Sequence, residues 1–151
     1  MATYVLLAHQ TALSEALAGA AEELARQDPA AEFVVLVPAT SVGHLLTSEE
    51  GETAAVARRR ADEARVWLEA RGLRVVEARI GDEDPVQALS DLLRAGGRGY
   101  AGLVLSTLPP GVSRWLKLDV VSRVRRAYPT LRLVHVVGAA AGAPAAAPAA
   151  P

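Results

Sequence analysis

Phe33-Val34-Val35-Leu36-Val37, FVVLV, is apolar at every position, with no polar residue on either alternating set. A strand with one face in water alternates, so a run without alternation belongs in a sheet covered on both faces. Such sheets are parallel and flanked by helices, and the segments on either side agree. Upstream, Thr3 to Ala8, TYVLLA, is a compact apolar strand signal. Ser14 to Gln27 then repeats Leu13, Leu17, Ala20, Ala21 and Leu24 near the helical period, and Asp28-Pro29 ends it.

Downstream the alternation continues. Glu52 to Arg71 spaces Val56, Ala64, Trp67 and Leu68 for a helix that stops at Gly72. Leu73 to Ala78 is a third strand. In GDEDP, Asp84 stands at a helix N-cap with Pro85 at the first helical position. Val86, Leu89, Leu92 and Leu93 line that helix, and Gly96, Gly97 and Gly99 end it. Ala101 to Ser106 is a fourth strand, Val112 to Ala127 a helix, and Leu131 to Val137 a fifth strand. Strictly alternating elements pack as a five-stranded parallel α/β sheet with right-handed crossovers. Periodicity does not fix strand order. A flavodoxin-like or nucleotide-binding-like layout, 3-2-1-4-5, covers both faces and opens a crevice between strands one and four.

The chain of 151 residues suits one domain with its own core. Residues 1–137 form the expected α/β domain. Gly138 to Pro151, GAAAGAPAAAPAAP, has nothing large to bury and reads as a flexible tail. A formal charge of −1 gives no global pull toward nucleic acid or an anionic membrane. Without cysteine there are no disulfides, thiol nucleophiles or thiolate metal sites. The start, MATYVLLAHQT, lacks a secretory pattern and no later stretch spans a bilayer, so a cytoplasmic protein is expected.

The loops at the carboxyl ends of strands one and four are the places to look for chemistry. His9, Gln10 and Thr11 follow strand one and could offer a ribose or purine donors and acceptors; alternatively Gln10 and Thr11 cap the next helix while His9 faces solvent. His44, in GHLLTSEEG, has no nearby partner to orient its ring and reads as the rim of a loop. His135 alternates with apolar neighbours and reads as structural or as part of an interface. Three scattered histidines make no metal signature. Asp82, Glu83 and Asp84 favour a helix N-terminus through its dipole. There is neither a G-x-S-x-G elbow nor a G-x-x-x-x-G-K-[ST] phosphate loop.

After strand four the chain reads Ser106-Thr107-Leu108-Pro109-Pro110-Gly111-Val112-Ser113-Arg114-Trp115. Holding phosphate at a helix start takes several free backbone N–H groups, and the two prolines have none. What remains is Ser106, Thr107, Gly111, Ser113 and Arg114, enough for a single anion but ill suited to wrapping a triphosphate. Trp115 reads as packing on the sheet or a partner subunit. The helix beyond carries Lys117, Arg123, Arg125 and Arg126, and Arg58, Arg59 and Arg60 form a second basic patch. Neither has interleaved aromatics, so both read as solvated helix surface and no nucleic-acid partner is expected.

The order of pieces resembles the universal stress protein superfamily along nearly all of Thr3 to Val137: YVLLAHQT, GDEDPVQAL, AGLVLST and the closing LRLVHVV. The HLLTSEEGE and STLPPGVSRWLKLD pieces are similar to an actinobacterial branch lacking the usual ATP-binding glycine motif. In ATP-binding members of the superfamily, strand one ends in aspartate, glycine and serine; the matching positions here look like Gln10, Thr11 and Ala12. Those members also carry G-x-x-G, nine residues, then G and Ser or Thr, after strand four. Here Gly111 stands near one of those glycines, while Leu118, Asp119 and Val120 replace the distal one. The resemblance therefore argues against ordinary ATP binding. It also implies a homodimer paired through strand five, whose apolar edge needs cover.

Three readings follow for the function. The first is a non-enzymatic, dimeric regulatory or adaptor domain with a degenerate nucleotide site and an unspecified protein partner. The second is a binding module for a nucleotide or other small anion in the crevice, held by Gln10, Thr11, Ser106, Thr107, Gly111, Ser113 and Arg114. The third is an enzyme such as a slow phosphohydrolase, for which no base or activated water is visible. An opening between His9 and Thr107 favours the second; prolines or Trp115 filling it favour the first.

Overall fold

A computed structural model describes residues 2–39, 50–95 and 98–139. His44, Gly96, Gly97 and the tail from residue 140 lie outside the described residues. Five strands, β1 (Thr3–Leu7), β2 (Glu32–Pro38), β3 (Val75–Gly81), β4 (Gly102–Thr107) and β5 (Arg132–Val137), form one sheet. All neighbours are parallel, in the order β3-β2-β1-β4-β5, so the doubly wound expectation is correct. Phe33 to Val37 are all buried, as a strand covered on both faces requires.

The alternation of side chains divides the core in two. Tyr4, Leu6, Phe33, Val35 and Val104 point to one face, under α1 (Glu15–Gln27) and α2 (Glu50–Ala70). Val5, Leu7, Val34, Leu36, Leu103 and Leu105 point to the other, under α3 (Pro85–Arg94), α4 (Arg114–Lys117) and α5 (Val120–Ala127). Helix α2 approaches the sheet on a stripe of small residues, Ala57, Ala61 and Ala64, before Leu68. Two caps fix where helices begin. Ser14 Oγ accepts from the Leu17 N–H at 3.2 Å, and Asp84 Oδ1 from the Val86 N–H at 3.1 Å, with Pro85 at the first turn.

Two expectations need correction. The helix expected over residues 112–127 is two helices, broken at Asp119, which takes φ 56° and ψ 39°. Geometry gives the reason: at about 100° per residue, Trp115 and Val120 would lie about 140° apart on a straight helix. Both are buried against the same face of the sheet, together with Val124. The left-handed residue re-aims the chain between them, and aspartate tolerates that conformation better than most residues. The third strand begins and ends later than its apolar run, at Val75–Gly81 rather than 73–78, because as an edge strand it pairs through half-exposed Arg79 and Ile80. Leu73 is buried ahead of it.

Candidate functional site

Strand β1 lies between β2 and β4, with Leu7 opposite both Leu36 and Leu105. The connections after β1 and β4 leave the sheet toward opposite faces, and their divergence makes the crevice. His9, Thr11, Ser14, Ser106, Thr107 and Ser113 are all buried there or beside it. Polar side chains this deep need partners, and most find them in one another.

Ser106 Oγ donates to Thr11 Oγ1 at 2.6 Å, with the two residues 1% and 2% exposed. This bond ties the loop after β1 to the end of β4, across the crevice. One residue on, Thr107 Oγ1 lies 2.9 Å from Nε2 of His135 in β5, on the opposite face. The Thr107 carbonyl accepts from Gly138 N–H at 2.9 Å, continuing the ladder past β5. Gly138 passes so close to the α1 cap that a Cβ there would come within 2.5 Å of Ser14 Oγ.

The loop after β4 turns its amides inward. The N–H groups of Val112 and Ser113 both donate to the Pro109 carbonyl, at 3.2 and 3.1 Å, around Gly111 at φ 93°. Ser113 Oγ accepts from the Leu116 N–H at 3.2 Å and so begins α4. Pro109, Pro110 and Gly111 are exposed. Trp115 is buried, packed with Leu105 and Val120 beneath the sheet. Of the seven residues expected to contact a ligand, Thr11 and Ser106 meet directly; Thr107 pairs with His135 and Ser113 with its own helix. Gln10 is half-buried, Gly111 stands out in solvent, and the Arg114 side chain lies outside what is described.

His9 departs from the solvent-facing position considered for it. It is 5% exposed, and neither ring nitrogen has a hydrogen-bond partner among the described residues. Burial, aided by the positive charge of Arg60, lowers its pKa from 6.5 to about 4, so the ring is neutral at ordinary pH. Arg60 Nη1 reaches the His9 carbonyl at 3.4 Å, and burial lowers the guanidinium pKa too. His135 is also lowered, by burial first and then by Arg125. Arg60 was visible only as part of a basic triplet; its place beside the Ala57, Ala61 and Ala64 stripe, where α2 comes close, is the signal that points inward. Among the described residues no group of three or more His, Cys, Asp or Glu could hold a metal ion. No helix among them is long and apolar enough to cross a membrane.

The architecture is thus a doubly wound α/β domain with a polar cluster at the point where strand order reverses. No family model matches the sequence, and the search of curated proteins found no match. Among solved structures, the chain is similar to a protein from the universal stress protein family of Burkholderia pseudomallei. The match has 18% identity and a TM-score of 0.58, over 89% of this chain and 94% of that one. It is also similar to a universal stress protein from Archaeoglobus fulgidus, at 13% identity and a TM-score of 0.59, over 89% and 93%. The chain has a universal-stress-protein-like fold, as its order of motifs implies.

Proposed function

We propose that this chain is a non-catalytic, dimeric regulatory or adaptor domain whose nucleotide crevice is closed by its own side chains. The observation that carries this reading is the buried hydroxyl pair, Ser106 to Thr11, bridging the crevice at 2.6 Å. A ligand entering there must break that bond and satisfy both hydroxyls again. The inward-turned amides of Val112 and Ser113 add to it, since a phosphate clamp needs those donors free. The residues present fit a triphosphate poorly. Dimerisation draws support from β5, an edge strand of largely apolar sequence whose outer side has no strand beside it among the described residues.

Titration with a fluorescent ATP analogue, alongside denaturing mass spectrometry of protein purified without added nucleotide, tests the closed crevice. The expected result is no saturable binding and no released nucleotide. A stoichiometric small molecule would overturn it. Sedimentation velocity tests the dimer, and a monomer at all accessible concentrations would sink that part alone.

One observation favours a second reading, a small-anion site at the same end of the sheet. Both buried nitrogens of the His9 ring are without partners among the described residues, and the Arg60 guanidinium, held on the His9 carbonyl, places a positive charge near them. Inorganic phosphate that protects His9 from exchange and raises thermal stability would favour this reading over the first.

A further inference from the structure

Charge is divided along this chain. Residues 1–93 carry 16 acidic and 8 basic side chains, whereas residues 94–151 carry 8 basic ones and a single acid, Asp119. The parts are −8 and +7, a separation hidden in the formal total of −1. Sheet order turns it into a separation in space. The first part supplies β1, β2 and β3; the second supplies β4 and β5 at one side of the sheet, with α4 and α5. A field of one sign over one side attracts partners of the other sign.

Where the two parts meet, α3 faces α5 across a groove of about 580 Å³, lined about equally by polar and apolar surface, Asp84, Gln87, Arg94 and Arg123 beside Val86 and Leu93 among them. Arg123 is fixed by Asp84 Oδ2 at 2.8 Å, and a guanidinium has more donors than that one oxygen can take. Arg94 is exposed at the end of α3, as are Arg125 and Arg126 on α5, and none has an acidic partner among the described residues. In right-handed crossovers the helices run against the strands, so the carboxyl ends of α3 and α5 lie at the end of the sheet away from the crevice.

The geometry points to the α3/α5 groove as a docking site for an acidic protein segment that carries an apolar anchor. Carboxylates of such a segment meet Arg94 and the spare donors of Arg123, while apolar side chains two turns apart cover Val86 and Leu93, about 10.5 Å from each other along α3. Arg94, with the exposed Arg125 and Arg126 of α5, selects the acidic partner, and the apolar part of the lining, Val86, Leu93 and Ala127, selects protein over nucleic acid. A nucleic acid would leave those apolar side chains uncovered, and Tyr128, the one ring lining the groove among the described residues, is half-buried and poorly placed for stacking. The site does not depend on whether the crevice binds nucleotide or the chain dimerises.

Fluorescence anisotropy with the full chain at low salt, without nucleotide, tests it. The probes are a labelled peptide of Glu and Leu at helical spacing, polyglutamate of equal length, and single-stranded oligothymidine. The Glu/Leu peptide is expected to bind roughly tenfold more tightly than either of the others, a difference of one decade in Kd. Arg94→Glu, and Ala127→Trp filling the groove, should each weaken it roughly tenfold. Arg74→Glu, on the acidic side, should not. Equal binding of polyglutamate, tighter binding of oligothymidine, or indifference to both groove variants overturns the proposal. Arg94 sits at an exposed helix end, so Arg94→Glu carries the test alone if Ala127→Trp fails to fold.

Discussion

Lowering the pH should unfold this protein earlier than its carboxylates require, and His9 is the reason. In the folded chain its pKa is about 4; in the unfolded chain the ring titrates near 6.5. Above pH 6.5 the ring is neutral in both states and contributes no pH dependence. As pH falls below that, the unfolded chain takes up a proton that the folded chain refuses, so stability falls. The loss reaches about 2 kcal/mol near pH 5 and levels off at about 3 kcal/mol below pH 4. His135 is shifted the same way and adds to the slope, so the wild-type profile alone does not isolate His9. Replacement does.

His9→Leu removes the titrating group and both unpartnered nitrogens. An unsatisfied buried polar group costs about 1–3 kcal/mol, so the variant should be at least as stable as wild type near neutral pH. Its loss on acidification to about pH 5 should be smaller than that of wild type by about 2 kcal/mol. Urea denaturation at the two pH values, extrapolated linearly, resolves that difference. Equal acid losses in the two proteins would show that His9 is not the group that sensitises the fold to acid. His9→Leu being several kcal/mol weaker at neutral pH would overturn it too, because the ring must then have partners that hold it.

Ser106→Ala should cost about 1–3 kcal/mol by leaving the buried Thr11 hydroxyl without its partner, while Ser106→Ala with Thr11→Val should cost less than the two single changes together; urea unfolding of all four proteins closes the cycle. Asp119→Asn should be nearly neutral, whereas Asp119→Ile should lose about 1–2 kcal/mol, since a β-branched residue resists the left-handed conformation. Thermal melts distinguish the two. A dimer joined through β5 brings two positive halves together, so its Kd should fall several-fold as salt rises and screens them. Sedimentation equilibrium at low and high salt checks this, and a dimer that salt weakens is not joined there.

Local pattern carried the fold because parallel strands and helix caps write themselves into short segments. FVVLV implied cover on both faces, and Asp84-Pro85 marked a helix start to the residue. The break at Asp119 escaped because valines and arginines continue at helical spacing through it. Only the shared burial of Trp115 and Val120 requires it, and that is a tertiary fact. Strand β3 ran on through Arg79 because an edge strand needs no apolar face. For the site, Thr11 and Ser106 were recognisable as polar residues at crevice ends. That they bond each other was not, since 95 residues separate them. His9 reads as a loop residue beside Gln10; its burial depends on how closely the alanine stripe lets α2 approach.

The two ends of the sheet ask different things of a ligand. At the crevice, a newcomer must first separate Ser106 from Thr11 and then offer each hydroxyl a partner as good as the one lost. Falling short at one group forfeits about 1–3 kcal/mol, or roughly fivefold to more than a hundredfold in affinity. A triphosphate can accept from both hydroxyls but finds the amides of Val112 and Ser113 already bonded to Pro109. At the opposite end, Arg94, Arg125 and Arg126 are exposed and have no ion-pair partner among the described residues, so water and salt are what a carboxylate displaces there. Exposed pairs are weak one at a time, so specificity in the proposed groove depends on its apolar members, Val86, Leu93 and Ala127. The partner proposed for the α3/α5 groove must therefore be large enough to meet several arginines at once and apolar enough to cover Leu93.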